Sequence, residues 1–186
     1  MLQGELIRLR SIEKKDLDQY YNWVNDPELA RLILGTIASY SKEQIIKIYD
    51  SYIQSYSHNL LFGIEAIKGE VPIGFCFLQN IHPIHRHGEL EQFFIGEKKY
   101  RNNGYGKDAI ETLLKYCFTE LNLNRLWSII YGYNLAAIQF YEKCGFLKEG
   151  TLRQIQFTMG KYHDGVIMAI LKEDWENKKF THERRS

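Results

Sequence analysis

Apolar positions along the chain recur with two different periods, and the switches between them predict the elements. Residues 4–9 alternate, Ile7 and Leu9 against Leu6 and Arg8, as a strand with one buried face does. Ser11 then reads as a helix cap, with Lys14 and Asp16 inside the helix and Leu17, Tyr20 and Val24 on its apolar stripe. Asn25-Asp26-Pro27 breaks that helix. A second helix is expected after Ser41, where Gln44 completes a capping box and Ile45, Ile48, Tyr49, Tyr52, Ile53 and Tyr56 form the stripe. Apolar runs at 60–67 and 71–78, joined by Lys68-Gly69-Glu70, carry the signal of a hairpin. Strands follow at 90–95 and 126–131, helices at 105–119 and 135–144, the latter ended by Gly145 in a left-handed cap. Strands at 153–159 and 166–171 flank a Gly160-to-Gly165 turn, and a polar run at 173–186 frays or ends in a short helix. The pattern predicts one α/β (α+β) domain over residues 1–186, a mixed sheet covered by four helices, with no repeat or linker.

Composition narrows the function classes. A length of 186 residues suits a single domain, and 45% hydrophobic with 25% charged residues is ordinary globular usage. The formal charge of +1 lacks the basic excess of a protein that grips nucleic acid backbone. No run approaches the roughly 18 apolar residues of a membrane span, and the start, Met1-Leu2-Gln3-Gly4-Glu5, does not read as a signal peptide. Cys76, Cys117 and Cys144 are odd in number, far apart and set among apolar neighbours, so free buried thiols in a reducing cytosol are expected. Aromatic residues reach 14%, thirteen of them Tyr, an excess that composition leaves unexplained.

The most informative segment chemically is Arg101-Asn102-Asn103-Gly104-Tyr105-Gly106, between an apolar strand and an amphipathic helix. Two glycines let the backbone turn tightly, and the first N–H groups of the following helix make an anion site suited to a pyrophosphate, with Arg101 and Lys107 adding positive charge. A plain strand-turn-helix corner would use the same glycines. A Walker loop is absent. A Rossmann fingerprint fits in part, through Gly104, Gly106 and Ala109, but 126–131 carries no acidic residue for a ribose. His82, His85 and His87 form an HxxHxH run with Glu89 close by; Pro83 marks a turn, and the run reads as a substrate rim or plain exposure, without a metal.

Residues 134–146 read Asn-Leu-Ala-Ala-Ile-Gln-Phe-Tyr-Glu-Lys-Cys-Gly-Phe. With the turn at 101–106, the chain resembles the GNAT superfamily of acyl-CoA-dependent N-acetyltransferases, whose R/Q-x-x-G-x-G/A and N-x-x-A-x-x-x-Y-E-K-x-G-F signatures both match at the right separation. Trp23-x-Asn25-Asp26-Pro27 and the approach from Ile84 to Glu91 look most like the branch holding ribosomal-protein alanine and spermidine N-acetyltransferases. The resemblance implies a mostly antiparallel twisted sheet with a splay between two central parallel strands, and acetyl-CoA as co-substrate. Backbone around Phe94, Ile95 and Gly96 would pair with the pantetheine arm as an added strand. The turn Arg101, Asn102, Asn103, Gly104, Tyr105, Gly106 and Lys107 would hold the pyrophosphate, and Asn134, Ala137 and Lys143 would meet the cofactor from the later helix.

The same resemblance implies the chemistry. An alkyl ammonium of pKa near 10.4 is free base in only about one molecule in a thousand at neutral pH, so a base is needed, and Glu91 is its candidate. Glu89, two residues earlier and on the same strand face, would share that role or hold an ammonium. Tyr141 is the candidate general acid, a phenol able to protonate a thiolate of pKa near 8.5. Trp23, Asp26, Glu28, Tyr40 and His85 would line the acceptor pocket. The acceptor is a small-molecule or peptide amine, with no nucleic acid or membrane partner, in a cytoplasmic protein that could form a homodimer. Where spermidine enzymes carry an acidic stretch, residues 34–40 hold no carboxylate. A non-catalytic acyl-CoA sensor on the same fold, a polyamine-specific enzyme and a nucleotide-binding protein are the alternatives.

Overall fold

A computed structural model describes residues 1–54 and 59–183. Its chain order is β1 (Leu2–Gln3), β2 (Ile7–Ser11), a 3-10 turn at Lys14–Asp16, α1 (Leu17–Asn25), α2 (Pro27–Ile33), α3 (Lys42–Gln54), β3 (Leu60–Ala66), β4 (Val71–His82) and β5 (His87–Ile95). A 3-10 turn (Lys98–Tyr100), α4 (Tyr105–Lys115), a π turn (Tyr116–Glu120), β6 (Arg125–Tyr131), α5 (Leu135–Cys144), β7 (Leu147–Thr158), β8 (Lys161–Leu171) and α6 (Lys172–Glu183) complete it. The eight strands form one sheet in the order β1-β2-β3-β4-β5-β6-β8-β7. Every neighbouring pair is antiparallel except β5 with β6, which run parallel.

Local chemistry explains most elements. Ser41 and Gln44 cap α3 reciprocally, Ser41 Oγ accepting from the Gln44 N–H and Gln44 Oε1 from the Ser41 N–H. Gly145 ends α5 at φ 99°. Of the stripe expected on α3, Tyr56 lies outside the described residues, and nothing is described of the Ile53 side chain.

Several boundaries differ from the sequence expectation, each for a tertiary reason. The first long strand starts at Ile7 because the Asp108 carboxylate gathers the N–H groups of Glu5, Leu6 and Ile7, at 3.0, 2.7 and 3.0 Å, and bends residues 4–6 into a turn. Ser11 is therefore the last residue of β2, and the cap moves to Glu13, which forms a capping box with Asp16. Asn25-Asp26-Pro27 ends α1 and also starts α2: Asp26 accepts from the Leu29 N–H at 2.8 Å, and Pro27 sits where a helix needs no donor. The last hairpin turns at Met159 and Gly160, both at positive φ (53° and 74°), so residues 161–165 belong to β8. The C-terminal run folds as α6, anchored by the buried Trp175 against Phe118. The described residues thus hold six α-helices where four were expected.

Two apolar clusters hold the sheet. One lies under α4, α5 and α6 and includes Ile7, Leu9, Leu90, Ile110, Leu113 and Phe146. The other lies under α1, α2 and α3 around Trp23, Phe75 and Phe94, with Trp23 edge to face against both phenylalanines. Cys76, Cys117 and Cys144 are free and buried, and burial pushes all three thiols up, Cys144 to about 11. Such thiols are poor nucleophiles. No helix among the described residues is long and apolar enough to cross a membrane.

Candidate active site

The site begins where the two parallel strands part. β5 pairs with β6 only over His87–Glu89, opposite Arg125–Trp127, and the strands then diverge. On its other edge β5 follows β4, but with a shift: Phe77 faces Gln92 while Leu78 faces Leu90. Glu91 is the extra residue between them, a β-bulge, and a bulge re-aims its side chain and breaks the two-residue alternation. Glu89, expected on the same strand face as Glu91 and within reach of its charge, does not line the cleft. Glu89 accepts from Gln79 Nε2 at 3.1 Å and Asn80 Nδ2 at 2.8 Å. Glu91 instead lines the cleft. Burial, and then the charge of Glu89, raises the Glu91 carboxyl above the ordinary carboxylate range.

That cleft, about 520 Å³, runs along the splay. Its walls are Leu29, Leu32 and Ile33 of α2, Glu91 to Ile95 of β5, Ser128 to Tyr131 of β6, and Asn134, Ala137, Phe140 and Tyr141 at α5. Tyr141 is 3% exposed, its ring packed edge-on against Phe140 and Phe146. Burial pushes its phenol well above the usual range, only partly offset by a hydrogen bond with Ser128. Ser128 donates to the Leu90 carbonyl at 2.7 Å, so a single hydroxyl touches both open strands and the Tyr141 phenol. Sequence reasoning missed Ser128. Its signal was present, since β6 buries Leu126, Ser128 and Ile130 in alternation and Ser is the one polar residue of that set.

The turn at one end of the cleft has an anion cradle's shape. Asn102 and Gly104 are left-handed, at φ 60° and 86°, and deliver the chain into the N-terminus of α4. Arg101, Asn102, Gly104, Gly106 and Lys107 line the cleft there. Arg101 Nε donates to the Ile95 carbonyl at 2.8 Å and Nη2 to the Gly96 carbonyl at 2.7 Å. Two of the three residues expected to pair with a cofactor arm therefore already have carbonyl partners. Asn103 donates to the Lys99 carbonyl, and Tyr105 stacks edge-on with Tyr100, so both brace the turn from behind. Asn134 caps α5 by accepting from the Ala137 N–H at 3.2 Å. Lys143 is exposed on α5, away from the cleft lining, with its carbonyl accepting from Lys178.

The six residues expected around the acceptor are not brought to this cleft. Trp23 is buried against Gly96 and donates to Glu97. Asp26 caps α2, and Glu28 pairs with Lys98 at 3.0 Å. These three border a second hollow of about 440 Å³, which shares Leu29 and Arg101 with the cleft. Tyr40 is fixed through its backbone to the Asn25 side chain. Glu89 serves Gln79 and Asn80 as described. His85 lies at the β4–β5 tip, its ring stacked on His82 at 4.4 Å and near-parallel to His87. The lining positions that sequence reasoning missed include Leu29, Leu32 and Ile33, with Gln92, Ser128 and Tyr131 among the others. The Asp-Pro start of α2 was the available signal for the first three.

The model of the Acetyltransferase (GNAT) domain family matches residues 7–147. The chain is 29% identical to the spermidine N(1)-acetyltransferase of Vibrio cholerae over 178 residues, covering 92% of this chain and 96% of that protein. It is 31% identical over 182 residues to the ribosomal N-acetyltransferase-like protein YdaF of Bacillus subtilis, covering 95% and 97%. Among solved structures, the Vibrio cholerae spermidine N-acetyltransferase in complex with CoA and spermine superimposes with a TM-score of 0.83 at 28% identity, over 94% of this chain and 100% of that one.

Proposed function

The chain belongs to the GNAT acetyltransferase family, and from that premise we propose that its cleft transfers the acetyl group of acetyl-CoA directly to a primary amine, with Glu91 as base and Tyr141 as acid. The observation that carries this reading is the bulge at Glu91: it opens that carboxylate into the same cleft that Tyr141 lines. Glu91, whose raised pKa makes it a stronger base than an ordinary carboxylate, is suited to taking the proton directly or through a water. It takes the proton that the amine sheds as the nitrogen lone pair attacks the thioester carbon. As the carbon–sulfur bond breaks, Tyr141 gives its phenolic proton to the departing sulfur and recovers one from solvent. Burial keeps that phenol protonated, so the acid is in place at any working pH. The N-terminus of α4 with Asn102, Gly104, Gly106 and Lys107 would receive the pyrophosphate of the co-substrate.

A CoA-release assay across an amine panel tests the reading. Turnover by the wild type, with large losses in Glu91→Gln and Tyr141→Phe, supports it. Acetyl-CoA binding without CoA release from any amine would instead identify an acyl-CoA sensor. A polyamine acceptor is a second reading, favoured by similarity to spermidine enzymes from two organisms.

A further inference from the structure

We infer, taking the acetyl-transfer reading as given, that the acceptor is a monoamine on an apolar carbon skeleton, such as an alkyl- or arylalkylamine, and not a polycation. The inference comes from which charges meet in the cleft. Glu91 is the one carboxylate among the described residues that line it, and the two cationic side chains, Arg101 and Lys107, belong to the turn. The part of the same cleft's wall that α2 supplies is Leu29, Leu32 and Ile33. The other nearby carboxylates do not line it: Asp26 is a helix cap, Glu28 pairs with Lys98, and Glu89, whose charge reaches Glu91, is held by Gln79 and Asn80.

This wall is held in place. Tyr133 Oη donates to the Arg31 carbonyl at 2.6 Å, and Gln156 Nε2 donates to the Gly35 carbonyl at 2.7 Å, tying the end of α2 and the turn after it to the β6 and β7 side of the molecule. Gly35 is left-handed, at φ 71°, and a Cβ there would stand 2.6 Å from the Tyr131 ring. The charged side chain of the last turn of α2 is Arg31, a cation.

An acceptor with one ammonium suits these surroundings. Glu91 neutralises it, and its electrostatic reach takes in the phenols of Tyr20, Tyr52 and Tyr131, all pushed up chiefly by burial and further by that carboxylate. Of these rings Tyr131 lines the cleft, where it adds attraction for a cation. The carbon skeleton then covers Leu29, Leu32 and Ile33, which gains from burial. A second ammonium three or four carbons away would lose its water against the same leucines without a counter-charge.

The test measures kcat/KM by CoA release for hexylamine, 2-phenylethylamine and a Leu-initiated peptide, against spermidine, spermine and an aminoglycoside. At least one apolar acceptor is expected to exceed every polycation by about 10-fold or more; the peptide arm separates a free amine from a peptide N-terminus as the source of the same chemistry. Leu32→Asp, at a position 37% exposed and so outside the core, is expected to raise the spermidine-to-hexylamine ratio by about 10-fold. A polycation turned over as well as the best monoamine, or an unchanged ratio in Leu32→Asp, overturns the inference while leaving acetyl transfer standing. Calorimetric binding of acetyl-CoA with no release from any amine overturns both.

Discussion

The Ser128 hydroxyl donates to the Leu90 carbonyl, 2.7 Å away, across the gap where β5 and β6 part. In a continuous sheet that carbonyl would find a backbone partner; here a side chain replaces the missing ladder bond. Ser128 is 2% exposed, so Ser128→Ala leaves a buried acceptor unpaired. A loss of about 1–3 kcal/mol is expected by urea denaturation. A lower kcat should accompany it, because the Tyr141 phenol loses its hydrogen-bond partner.

Tyr141→Phe keeps the packing against Phe140 and Phe146 and removes one oxygen. On the proposed mechanism kcat falls by about 100-fold or more, while the acetyl-CoA dissociation constant measured by calorimetry changes little. An unchanged kcat removes Tyr141 from the acid role.

Glu91 is expected to shape the pH profile. Its folded pKa is raised, so the base is lost as pH falls through a value above the ordinary carboxylate range. The acid limb of kcat/KM should lie there in the wild type and vanish in Glu91→Gln. Stability moves the opposite way. A carboxyl with a raised folded pKa contributes stability that is full below the unfolded value and lost as pH rises through the folded one. Thermal melts should therefore show Glu91→Gln gaining on the wild type between pH 4 and pH 8.

Asp16 has the reverse sign. Burial opposes its ionisation, but hydrogen bonds from Arg10 and the Glu13 N–H outweigh that, and its pKa is lowered. The stability it contributes is present above the ordinary carboxylate pKa and lost as pH falls through the lowered folded value. Asp16→Asn should cost about 3 kcal/mol at pH 7, because Arg10 loses its most buried partner, and the gap to the wild type should close below about pH 4.

Gly74 sits on β4 opposite Ile95, where a Cβ would stand 2.0 Å from the Phe94 carbonyl oxygen. Backbone cannot step aside as a flexible side chain can. Gly74→Ala is expected to cost about 1–3 kcal/mol in denaturant melts and to weaken acetyl-CoA binding, since the displaced strand is a wall of the cleft.

Features encoded within a few residues were legible before folding. The Ser41–Gln44 capping box, the Lys68-Gly69-Glu70 reversal, the Gly145 cap and the glycine turn into α4 are local conformational preferences, and each stands where the sequence places it. Most of the order of strands and helices, though not α2, follows from the same periodicities, and the family from the two motifs at 101–106 and 134–146. What the chain could not show on its own is which groups become partners. The bulge at Glu91 depends on the register of β4 against β5, which a period-two pattern cannot reveal. Asp26 and Glu28 looked like acceptor ligands, but a helix N-terminus and Lys98 occupy them. Arg101 looked like a phosphate ligand, and two carbonyls at the end of β5 take its guanidinium. Ser128 acquires its meaning only from a gap between two strands. Hydrogen-bonding capacity belongs to the residue, whereas its use is settled by whichever donor or acceptor the tertiary fold brings within about 3 Å.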